Sequence, residues 1–144
     1  MSLSAAAGRW AAWLSRPHGQ RKARVVFACF AALLFTLTHW PALQIPSPVH
    51  RTDILLHMAF FGPWTILFAA CGWFGPALSI RNIVWSGLIA LAYAGFDEGT
   101  QAIPWIRRQA GWDDFGANAL GVLAATAVLL ILSRTVSQVL PPKD

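Results

Sequence analysis

Charge is scarce in this chain. Of its 144 residues only 12% are Asp, Glu, Lys or Arg, whereas a typical soluble domain carries about 25%. That is too little charge to coat a water-facing surface. The same shortage excludes disorder, because disordered segments are charge-rich and poor in aromatics. Cysteine occurs twice and tyrosine once. Cys29 and Cys71 both fall inside apolar runs and read as small core residues rather than as a disulfide framework. The chain lacks G-x-S-x-G, HExxH, P-loop and paired-Cys signatures, so no cofactor or resident metal is expected.

What is present is apolar. Hydrophobic residues make up 56% of the chain, with eight Trp and nine Phe, and the mean hydropathy is +0.52. Four apolar segments, 23–40, 54–74, 82–98 and 115–132, are each close to the length needed to cross a bilayer. At 1.5 Å per residue the first spans roughly 27 Å. The expected fold is all-α: a polytopic membrane protein, a bundle of four transmembrane helices. Gly62-Pro63 interrupts the second segment and predicts a kink. Residues 1–22 are basic, with Trp10, Trp13 and Leu14 at helical spacing, which fits an amphipathic helix at the membrane surface as well as a frayed cationic tail. Pro17-His18-Gly19 then breaks the pattern. The apolar run that follows lacks a small-x-small cleavage site, which disfavours a signal peptide.

Positive charge gives the orientation. Eight of the eleven Lys and Arg residues share one side of this topology: Arg9, Arg16, Arg21, Lys22, Arg24, Arg81, Arg134 and Lys143. Arg51, Arg107 and Arg108 lie on the other. Both the N-terminal segment and the 135–144 tail are therefore expected in the cytoplasm. Membrane lipids are the expected partners, and nucleic acid is not.

The same topology sorts the acids. Five of the six, Asp53, Asp97, Glu98, Asp113 and Asp114, fall at the outer ends of segments two, three and four. His57 lies one turn inside segment two, on one stripe with Asp53 and Phe61. Glu98 and Gln101 share a face of segment three. Asp114, Asn118, Gly121 and Ala125 follow one face of segment four, where the small residues permit close helix contact. Ionisable groups within spans are rare and usually face a bundle interior or a wet cavity. The candidate binding residues are Asp53, His57, Glu98, Gln101, Arg107, Arg108, Asp114 and Asn118, and the candidates for general acid/base work are His57, Glu98 and Asp114. A divalent ion held by His57 with Asp53, Glu98 or Asp114 is a chemical alternative. Blander roles are open for the same residues: an N-cap for Asp113 or Asp114, an ion pair between Asp97 or Glu98 and Arg107 or Arg108, interfacial anchoring for Trp105 and Trp112. His39 and His50 look isolated.

These motifs carry a resemblance. D-x3-H-x3-F (Asp53, His57, Phe61), E-x2-Q (Glu98, Gln101) and R-x5-D-x3-N-x2-G (Arg108, Asp114, Asn118, Gly121) resemble, in order, the VanZ-like family of small bacterial multi-pass membrane proteins, named for a member associated with teicoplanin resistance. Ile54 stands where that family often has Lys, and Arg107 is the alternative motif arginine. The resemblance implies a place in the bacterial cytoplasmic membrane and an outer-face cluster engaging a lipid headgroup, a lipid-linked cell-wall precursor or a glycopeptide-like amphiphile. Two other functions stay open: a membrane hydrolase or transferase with His57 or Glu98 as general base, and a helix-packing partner of a larger complex. The oligomeric state is not legible.

Overall fold

Long apolar runs satisfy their backbone groups most economically as helices, and the computed structural model is helical throughout the residues it describes, 3–40, 52–106 and 111–139. There are five helices and, among the described residues, no strand: α1 (Leu3–Leu14), α2 (Pro17–His39), α3 (Thr52–Ala70), α4 (Ile80–Gln101) and α5 (Trp112–Val139). Pro17, which ends the pattern of α1, also begins α2, because its fixed φ suits the first helical position. Pro63 is carried within α3 without ending it. The helix stops at Ala70 instead, where Gly72 adopts a left-handed φ of 64° that residues with a Cβ rarely adopt. Ser79 caps α4 by accepting a hydrogen bond from the Asn82 amide at 3.3 Å.

Contacts between distant helix ends define the up-and-down arrangement. The end of α2 meets the end of α4 through His39 and Thr100, and the second turns of α3 and α5 meet through His57 and Asn118. At the opposite end Arg24 donates to the Cys71 carbonyl, and Ser133 donates to that of Leu78 at 2.6 Å. α1 packs at this second end, with Leu14 among Ala23, Ala70 and Ala77 and Trp10 against them. α3 and α5 approach closely, where a Cβ on Gly121 would meet the Met58 carbonyl oxygen at 2.6 Å. Next to it an aromatic stack fills the bundle: Trp64 lies parallel to both Phe68 and Tyr93 at 5.0 Å, with Phe27 edge-on at 5.0 Å.

Polar side chains share the interior with the apolar core, and large apolar side chains also face outward. Thr65, Asn82, Ser86, Asp97, Gln101 and Asn118 are buried, whereas Val25, Val26, Leu33, Leu88, Leu123 and Ile131 are exposed. Two helices are long and apolar enough to cross a membrane, α2 and the Trp112–Ser137 part of α5. Cys71 is buried, but Cys29 faces outward, so only one of the two cysteines occupies the core.

Asn82 shows how the inward polar groups hold the bundle. Fully buried, it donates to the carbonyls of Ala69 at 2.8 Å and Ala77 at 3.0 Å, and accepts from the Phe74 amide at 3.2 Å. One side chain thereby closes the connection between α3 and α4. Asn82→Leu removes three hydrogen bonds to backbone groups, of which the Ala69 carbonyl keeps the Gly72 amide, and is expected to cost roughly 2 kcal/mol, read as a lowered thermal unfolding midpoint of the detergent-solubilised protein.

Candidate functional site

The end of the bundle where α2 and α4 finish and α3 and α5 begin collects most of its ionisable side chains into two adjoining groups. The first is closed. Asp97 is fully buried, and its Oδ1 accepts from the Thr38 hydroxyl at 2.9 Å while Oδ2 accepts from the Gln101 amide at 3.1 Å. His39 Nδ1 stands 3.7 Å from Oδ1. The other ring nitrogen, Nε2, lies 2.7 Å from the Thr100 hydroxyl. The imidazole is stacked on Phe35 with ring centres 4.0 Å apart, which fixes its plane. His39 is therefore not isolated. It belongs to a network, with Thr38 and Asp97, that the sequence pattern does not reveal, since its members lie 59 and 61 residues apart along the chain.

The second group is open on one side. His57, on α3, places Nδ1 3.0 Å from Asn118 Oδ1. An amide oxygen only accepts, so Nδ1 carries the proton in this pairing and Nε2 is left directed at Asp114, 3.8 Å from its Oδ1. Glu98, one residue on from Asp97 and facing a different neighbour, is 6% exposed. Its Oε1 accepts the Gly111 amide at 2.8 Å. Its Oε2 is buried and has no hydrogen-bond partner among the described residues. Asp97 and Asp114 lie close enough to repel this carboxylate and His57 close enough to attract it. Alongside runs a groove of about 390 Å³, lined by Gly95, Glu98, Gly99, Gly111, Trp112 and Phe115. Its walls are apolar apart from Glu98 and backbone.

The expected site residues thus divide. His57, Glu98, Asp114 and Asn118 come together. Gln101 is buried nearby but hydrogen-bonds Asp97, four residues back, rather than supporting Glu98. Asp53 sits in the first turn of α3, with its side chain outside the described residues, as are Arg107 and Arg108. An ion pair from either arginine to Asp97 or Glu98 therefore has no description here. α5 begins at Trp112, so Asp113 and Asp114 occupy its first turn, where negative charge is favoured by the helix dipole, rather than its cap. Trp105 and Trp112 are 83% and 90% exposed, and Trp112 is also a groove wall. Among the described residues no three His, Cys, Asp or Glu side chains are disposed to hold a metal ion. No protein-family model, curated protein or solved structure matches this chain.

The two groups respond differently to substitution. Thr38→Val removes a donor from the buried Asp97 carboxylate and is expected to cost about 2 kcal/mol, seen as a lower midpoint in thermal unfolding. Glu98→Gln keeps an oxygen for the Gly111 amide and removes a buried charge without an ionic partner among the described residues, so that midpoint should be equal to or higher than wild type's.

Proposed function

We propose that this chain is a four-span membrane protein, with both termini in the cytoplasm, whose outer-face cluster holds the polar head of a membrane amphiphile. The membrane reading is supported by burial: only 17% of the apolar window of α2 and 33% of that of α5 is covered by the rest of the protein. A helix at the core of a soluble protein would be covered on most of its surface. At 19 and 22 residues, α3 and α4 reach roughly 29 and 33 Å, comparable with the hydrocarbon thickness of a bilayer. Arg16, Arg21, Lys22, Arg81 and Arg134 are exposed at the end where α2 begins and α5 finishes, the side the positive-inside rule assigns to the cytoplasm.

One observation carries the binding function. Glu98, His57 and Asp114, from three helices, converge beside an apolar groove, and Glu98 Oε2 has no hydrogen-bond partner among the described residues. A few placed polar groups against apolar walls is the usual form of a small-molecule site, and here those walls continue into a surface suited to acyl chains. The VanZ-like resemblance extends this to a lipid headgroup, a lipid-linked cell-wall precursor or a glycopeptide-like amphiphile, with a contribution to antibiotic resistance or envelope upkeep. His57 supports a second reading. Its Nδ1 is fixed by Asn118, which leaves Nε2 as a positioned base for a hydrolase or transferase acting on such a lipid.

Cysteine accessibility tests the topology: a cysteine placed at Trp105 is expected to react with an impermeant thiol reagent added to intact cells. Labelling only after lysis would overturn the outer-face assignment. For the second reading, phosphate or headgroup release from liposomal lipids should disappear in His57→Ala with the fold retained, and absence of turnover in the wild type would count against catalysis.

A further inference from the structure

We infer that the groove beside Glu98 selects an amphiphile bearing a protonated amine, of the ethanolamine-headgroup class, and this rests on the amphiphile-site reading above. Three features point to a cation. Glu98 is a carboxylate held 94% out of solvent in a groove wall (6% exposed), and a buried charge is costly unless it is paired. Its one hydrogen bond among the described residues, from the Gly111 amide, engages Oε1 alone and brings no positive charge. The described ionisable groups nearby are mixed, His57 against Asp97 and Asp114, and none of them hydrogen-bonds Oε2.

The walls fit the rest of such a molecule. Trp112 and Phe115 stand edge-to-face with ring centres 6.4 Å apart, and an indole face is the best aromatic partner for an ammonium. Gly95 and Gly99 leave the α4 side without side chains. A Cβ on Gly99 would meet no atom within 4 Å, so the space there is open. An ammonium entering the groove completes an ion pair with the carboxylate, while the attached chains continue over the exposed apolar surface of α4, at Leu88, Trp85 and Phe96. A phosphate lacking the amine has nothing to offer the carboxylate and is repelled by it.

The test uses the full chain in dodecyl maltoside and counts lipid retained in native mass spectra. The probes are dioleoyl phosphatidylethanolamine, dioleoyl phosphatidylglycerol and, as a soluble competitor, glycerophosphoethanolamine. Wild type should retain the ethanolamine lipid about tenfold better than the glycerol lipid, and Glu98→Gln should erase that preference, the scale of one charge-assisted hydrogen bond. Gly99→Leu puts a side chain into the open space, where its Cβ meets no atom within 4 Å, and improves helix propensity. It should therefore abolish retention of the ethanolamine lipid while leaving the thermal midpoint equal or higher. Equal retention of both lipids, lost in Gly99→Leu, would overturn the amine assignment and leave the amphiphile site standing. Retention of neither lipid above the Gly99→Leu background would overturn both. Displacement by millimolar glycerophosphoethanolamine would overturn the lipid as the source of the amine.

Discussion

The Asp97 carboxylate is sealed between α2 and α4, and a charge so placed has to be answered by other groups of the protein. Thr38, His39 and Gln101 answer it. That requirement orders the whole acidic end: it draws the last turn of α2 against the last turn of α4, and the next side chain, Glu98, then faces α5 and the residues leading into it. With α2 and α4 joined, α3 and α5 pack against each other through Gly121 and the Met58 backbone, which brings His57 and Asn118 into register.

Adjacent residues on one helix turn consequently do different things. Asp97 has both oxygens engaged and contributes cohesion. Glu98 has one oxygen engaged by the Gly111 amide and lies in a groove wall. A fully paired carboxylate and a half-paired one are thus separated by a single residue step, a rotation of about 100° around the helix axis. The opposite end engages carbonyls around the turn between α3 and α4 with the uncharged Asn82 and Ser133 and with the Arg24 guanidinium.

Much of this was legible beforehand. The helical segments follow from the apolar runs, and the stripe of Asp114, Asn118 and Gly121 on α5 follows from helical periodicity. The gathering of His57, Glu98, Asp114 and Asn118 was legible too, since each lies near the same end of its segment. Other features were not. Periodicity places Glu98 and Gln101 on a common face but equally permits Gln101 to reach back four residues to Asp97, which is what occurs. Cys29 and Cys71 both sit in runs apolar on every side, where no polar face marks which direction is inward. His39 lacks any nearby ionisable neighbour in sequence, and its partners belong to another helix.

The sequence by itself determined that helices form, roughly where they lie, and that acidic groups crowd at one set of helix ends and basic groups at the other. These properties depend on local composition and on hydrogen bonds within a helix. Only the tertiary structure decided which carboxylate is satisfied and which is left half-paired beside a groove. The donors to Asp97 come from α2 as well as α4, and the one donor to Glu98 is a backbone amide just ahead of α5. Which of these reaches which oxygen depends on helix packing, and on that depends where a ligand can be held.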